Sequence, residues 1–276
     1  MLGKLLKYEL KAYSRALIPI YIAILVISLF LGISFRNVNI LNGLLENTTI
    51  VMMFVLFGLM VALVVLNIVT CIQRFKKNLL ENEGYLMLTL PVRVSNLVLS
   101  KFLIALLFSI LSLILSVLSF TIIMYLGSGI SLSDFTTTII NDFDIKQMIE
   151  ANVFIKDFIY VLITLGLGIL FTYSTFILTI YTSLSVGQLP MFNNHRTIVA
   201  FISFFVINWA SSIIENFILR LTNADYYNLI NSFIDYSFTD PVITRMTITS
   251  SIFSLIIMGV LFTSTSFILD KKLNLE

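Results

Sequence analysis

Charge is scarce in this sequence: Asp, Glu, Lys and Arg make up only 12% of its 276 residues. A soluble domain carries about 25%, and half that share cannot solvate a globule of this size. The missing polar surface has to be replaced by a non-aqueous solvent, which means lipid. Cysteine is almost absent as well. Cys71 alone excludes an internal disulfide framework and any cysteine-based zinc site; within its apolar run it reads as a small hydrophobe. The single histidine, His195, stands in a polar loop and reads as solvated, because a metal site needs several ligands. No Gly-rich phosphate loop with a lysine occurs, and neither a His-Glu-x-x-His motif nor a serine nucleophile elbow is present. The sequence therefore offers no catalytic residue, no metal site and no nucleotide site of its own. A net charge of +2 is too small to imply a nucleic-acid partner.

Apolar residues are what the chain has in excess, 58% of the total, with a mean hydropathy of +1.01. A helix needs about 20 apolar residues to cross the hydrocarbon core. Six runs qualify: Ala16–Phe35, Ile50–Ile72, Phe102–Leu126, Phe158–Leu184, Ile198–Leu219 and Thr249–Leu269. Lipid cannot hydrogen-bond an exposed backbone, and the alternation of a barrel is missing, so the runs predict helices. The expected fold is all-α, a polytopic membrane protein with six transmembrane helices in a single domain over 1–276. Gly166 and Gly168 in the fourth run suit tilt or the close approach of a neighbouring helix. A cleaved leader at the start is disfavoured by the long first run and the absence of a small-residue cleavage pattern.

Lysine and arginine set the orientation. With a cytoplasmic amino terminus, twelve of the seventeen fall inside, among them Lys4, Lys7, Lys11, Arg15, Arg74, Lys76, Lys77 and Lys101. Asp134, Asp142, Asp144, Glu150, Asp225, Asp235 and Asp240 fall outside. Both termini are then cytoplasmic. The basic residues of 1–15 recur at helical spacing opposite Leu2, Leu6, Leu10 and Tyr13. That pattern suits an amphipathic helix in the interface facing anionic lipid, or plain anchoring of the first span.

The first inside loop, 73–95, carries a basic cluster, then Glu81 and Glu83, then Gly84, then the apolar piece Tyr85–Leu90 closed by Pro91. A hexad this short cannot span the bilayer. On the wet side it must bury itself against headgroups or against another protein. The second inside loop, 185–197, is short and polar, with Gln188, His195 and Arg196. Outside, 127–153 and 220–247 are longer; the aromatics of the second suit short re-entrant or interfacial helices, or a loop.

Hydroxyls form stripes within the spans: Ser109, Ser112, Ser116 and Ser119 in the third, Thr172, Thr175, Thr179 and Thr182 in the fourth. Such stripes suit close helix packing, or the lining of a passage. In the fifth span Asn208, Ser211, Ser212 and Glu215 share a face beside Trp209. An intramembrane acid is a functional candidate by default. Glu215 stands about one helical turn from the outer end, within reach of water or Arg220. Asn208, Ser212 and Glu215 are the candidates for lining a pathway.

The opening Leu5-Leu6-Lys7-Tyr8-Glu9-Leu10-Lys11, the loop Glu83-Gly84-Tyr85-Leu86-Met87-Leu88-Thr89-Leu90-Pro91, the second loop Ser185-Val186-Gly187-Gln188-Leu189 and the closing Leu269-Asp270-Lys271-Lys272-Leu273 resemble permease subunits of ABC-2-type transporters of Gram-positive bacteria. More narrowly, the chain resembles permeases that export phenol-soluble modulins and related amphipathic peptides. The resemblance implies a six-helix type V exporter subunit in a bacterial plasma membrane, paired with a separate cytoplasmic ABC ATPase that binds ATP and Mg. It also implies a second permease copy, identical or a sister chain. Glu83, Gly84, Tyr85, Leu86, Met87, Leu88 and Pro91 would form the coupling loop seated on the ATPase, and Gln188, His195 and Arg196 a second, smaller contact. The alternatives are an ion-coupled secondary carrier, which needs intramembrane ionisable groups, and a membrane immunity or sensor scaffold without transport.

Overall fold

The computed structural model describes residues 2–37, 44–80, 84, 92–129, 154–222 and 241–271. Six helices long and apolar enough to cross a membrane occur among them, and no strand. They are α1 (Leu2–Asn37), α2 (Leu44–Phe75), α3 (Val94–Ser128), α4 (Phe154–Val186), α5 (Arg196–Leu221) and α6 (Pro241–Lys271). A π-helical turn, Lys76–Leu80, extends α2, and a 3-10 helix, Pro190–His195, precedes α5. The protein is a multi-pass helical membrane protein. Every apolar run lies within one helix, and every helix outruns its apolar run. The shortest, α5, has 26 residues, which at 1.5 Å per residue is about 39 Å and exceeds a hydrocarbon core of about 30 Å. The surplus reaches the headgroup region or is taken up by tilt.

The amino-terminal basic segment is helical, and it does not end before the first span. Helix α1 passes through Pro19 without a break. Proline there removes one hydrogen bond, to the Arg15 carbonyl, and the neighbouring turns carry the helix past it. Helix α6 begins at Pro241, where the missing N–H would have had no partner in any case. Of the two outer loops, 130–153 and 223–240 lie outside the described residues, and the choice between re-entrant or interfacial helices and a loop in the second lies with them.

The chain divides into two compact units. One comprises Lys7–Thr70 and Leu107–Asn152. Its core joins Ile20, Ile24 and Leu63, with Leu59, Met60 and Leu115 against them. Helix–helix contact is tight here. A Cβ on Gly32 would stand 2.7 Å from the Leu126 Cβ, so α1 and α3 touch where only a hydrogen fits. A polar node ties the same helices to α2: the Tyr21 hydroxyl and Ser112 Oγ are 2.8 Å apart, and Asn67 Nδ2 donates to Ser112 Oγ at 3.2 Å. Ser112, a member of the serine stripe of the third span, thus carries a packing role, while Ser116 and Ser119 donate within α3.

The other unit comprises Met1–Leu6, Cys71–Leu106 and Val153–Glu276. Helices α4, α5 and α6 pack against one another in it. Phe75 stacks on Tyr181 with centroids 4.1 Å apart, and Cys71 Sγ lies 3.7 Å from the Tyr181 hydroxyl. Cys71 is buried and packs as a small side chain. Thr182 Oγ1 and Thr265 Oγ1, 3.0 Å apart, bridge α4 to α6. Lys101, counted among the loop cations from sequence, is buried inside α3.

Candidate functional site

Hydroxyl and amide side chains of three helices meet in a cavity of about 180 Å³. Helix α4 supplies Thr175 and Thr179, α5 supplies Asn208, Ser211, Ser212 and Glu215, and α6 supplies Phe253, Ser254 and Ile257. Periodicity explains the α5 contribution: positions 208, 211, 212 and 215 are separated by three, four and seven, which places them on one side of a helix. The three candidates Asn208, Ser212 and Glu215 are therefore brought together. Thr175 and Thr179 of the fourth-span stripe join them, while Thr182 of the same stripe goes to the α4–α6 bridge and Thr172 is exposed. The stripe splits between packing and cavity lining.

Hydrogen bonding fixes what the lining presents. Thr179 Oγ1 donates to the Thr175 carbonyl at 2.8 Å, Ser211 Oγ to the Ile207 carbonyl at 2.8 Å, and Thr175 Oγ1 to the Thr172 carbonyl at 3.0 Å. Asn208 Nδ2 donates to the Phe204 carbonyl at 2.8 Å. A carbonyl only accepts, so each of these groups has committed a proton to its own helix and keeps oxygen lone pairs for the cavity, Asn208 also keeping its second N–H. Ser212 Oγ is 3.4 Å from Asn216 Nδ2 as an acceptor. Glu215 is half-buried, and no ion pair joins it to Arg220 among the described residues. The Glu215–Arg220 contact considered from sequence is not made.

Six of the seven coupling-loop candidates, Glu83, Tyr85, Leu86, Met87, Leu88 and Pro91, lie outside the described residues. Gly84 is buried, and a Cβ there would stand 2.5 Å from the Leu79 carbonyl oxygen. Only glycine fits so close to the π-helical turn. In the second loop, Ser185 and Val186 still belong to α4, and the chain turns through Gly187–Leu189 into the 3-10 helix. Here too a glycine is required, since a Cβ on Gly187 would stand 2.5 Å from the Arg196 carbonyl oxygen. Gln188 is buried with Oε1 unbonded among the described residues, His195 is exposed, and Arg196 opens α5 half-exposed and engaged. The loop also projects Met191, 87% exposed, and Phe192. Sequence reasoning passed over this apolar tip, although the Met-Phe pair between Pro190 and Asn193 was the available signal. Ser254 was missed although Ser250 and Ser251 precede it at helical spacing, which was the available signal.

No group of three or more His, Cys, Asp or Glu able to hold a metal occurs among the described residues. No family model, curated protein or solved structure matches the chain.

Proposed function

We propose that this chain is the transmembrane subunit of an ATP-driven exporter of the ABC-2 type, providing the path for amphipathic or hydrophobic cargo while a separate ABC ATPase subunit hydrolyses ATP. The observation that carries the reading is the polar cavity among α4, α5 and α6. Groups able to hydrogen-bond are costly inside spans, and five hydroxyls, an amide and a carboxylate around one cavity exceed what packing needs. The resemblance of the loop 83–91 to a coupling loop supplies the ATPase. The exposed Met191–Phe192 tip belongs to a loop that six crossings put on the same membrane face as that loop, and an apolar anchor with polar surroundings is what docking requires. With both termini cytoplasmic, that face is the cytoplasm of a bacterial cell, and a second permease copy, identical or a sister chain, completes the working unit. Nucleotide must then favour one arrangement of the spans over the other, since equal affinity for both moves nothing.

The test is co-expression with the cognate ATPase. The intact chain is expected to co-purify with it and to show cargo-stimulated ATP hydrolysis. Leu86→Asp with Leu88→Asp is expected to break the complex while membrane insertion persists, and Met191→Asp to lower the stimulation. Full ATPase association in the Leu86→Asp, Leu88→Asp variant would refute the loop assignment. Glu215 in the cavity favours a second reading, an ion-coupled carrier. Uptake driven by a proton or sodium gradient through the lone chain in liposomes would establish that reading instead.

A further inference from the structure

We propose that the α4–α5–α6 cavity is a binding site for a primary alkylammonium group, the chemistry of a lysine side chain. The assignment deepens the exporter reading, and depends on it only for the claim that the bound group is cargo. The lining has a chemical sign. Protons of Thr175, Thr179, Ser211 and the Asn208 amide are already donated to backbone carbonyls of α4 and α5. What remains is weighted toward acceptors: the Glu215 carboxylate, the Asn208 amide oxygen and the hydroxyl lone pairs, beside the second Asn208 N–H and the hydroxyl protons of Ser212 and Ser254. An ammonium brings three donors and a positive charge to that arrangement and accepts nothing. An anion would be repelled by Glu215, and a neutral polyol would leave the carboxylate charge without a counter-charge.

Size and shape narrow the class further. A cavity of about 180 Å³ is slightly larger than the ~150 Å³ that accommodates benzene in an engineered protein core. It is therefore far roomier than the close oxygen cage a bare sodium ion needs. Phe253 and Ile257 of α6 give the cavity an apolar wall, against which a short methylene chain can lie while its head reaches the acceptors. A phospholipid ammonium fits less well, because its phosphate would be carried close to Glu215.

The probe is n-butylammonium, titrated calorimetrically into the purified full chain in nanodiscs, with n-butanol, butyrate, sodium and potassium as competitors of the same length or the same charge. Butylammonium is expected to bind more tightly than all four. Glu215→Gln is expected to weaken it at least tenfold, about 1.4 kcal/mol, and Thr175→Val two- to threefold, with helical content and elution unchanged. Should Glu215→Gln fail to fold, the wild-type chain carries the test: butylammonium is expected to protect Glu215 from dicyclohexylcarbodiimide, read by mass spectrometry. No binding, equal binding of butanol, tighter binding of an alkali ion, undiminished binding to Glu215→Gln, or unprotected Glu215 would each overturn the assignment. The titration needs no ATPase. Butylammonium binding without cargo-stimulated hydrolysis would retire the exporter reading and keep the site; stimulated hydrolysis without binding would do the reverse.

Discussion

Glycine at position 187 is decided by a single distance. Its missing Cβ would fall 2.5 Å from the Arg196 carbonyl oxygen and 3.0 Å from the Ala200 Cβ, so α5 can only lie this close to the end of α4 if position 187 has no side chain. Backbone cannot move aside as a flexible side chain would. Gly187→Ala is therefore expected to destabilise the fold by about 1–3 kcal/mol, the usual penalty of forcing atoms into a packed site. The measurement is the melting temperature in detergent, which should fall by several degrees. Gly259→Ala provides the comparison: it is helical with nothing within 4 Å, and the gain in helix propensity, up to about 1 kcal/mol, should leave its melting temperature unchanged or raised. Equal behaviour of the two variants would show that the α4–α5 approach is not as close as described.

Among the helices, the contacts that matter are those that sequence periodicity cannot address. A run of 20 apolar residues is legible because lipid imposes it on each helix separately, and a side such as that of Asn208, Ser212 and Glu215 is legible because helical spacing writes it into one segment. Which helix that side meets is a tertiary fact. Hence the meeting of Ser254 of α6 with that side went unseen, as did that of Tyr21 and Asn67 with Ser112. Gln188 misleads for a related reason: a polar residue in a short loop reads as exposed, and here it is buried where the chain folds back on α4. The node of Tyr21, Asn67 and Ser112 can be weighed by substitution. Interhelical hydrogen bonds within membranes average about 0.6 kcal/mol, so Tyr21→Phe and Ser112→Ala should each cost about 0.5–1 kcal/mol. Since both remove the same 2.8 Å contact, the double variant should cost clearly less than the two added together. Additive losses in a thermal or denaturant titration would mean that the contact contributes nothing.

For the whole molecule the testable question is which way it faces. With Lys101 set aside as buried inside α3, eleven lysines and arginines against five argue for cytoplasmic termini, because cationic loops resist translocation. Odd and even crossings then place His195 inside and Thr222 outside, at the two ends of one helix about 39 Å long. Both residues are exposed, and Cys71 is the chain's single cysteine, so Cys71→Ala gives a background with no competing thiol. The buried thiol packs on Tyr181, and alanine there removes one sulfur atom from that contact. In this background, His195→Cys in intact cells should resist a membrane-impermeant maleimide and react only after the membrane is opened. Thr222→Cys should react in intact cells. The reverse pattern would put Met191 and the loop 83–91 on the side without ATP, and an ATPase partner would be impossible whatever those loops resemble. Reaction of both thiols in intact cells would mean that α5 does not cross, and the cavity lined by Glu215 would then belong to a surface instead of a membrane path.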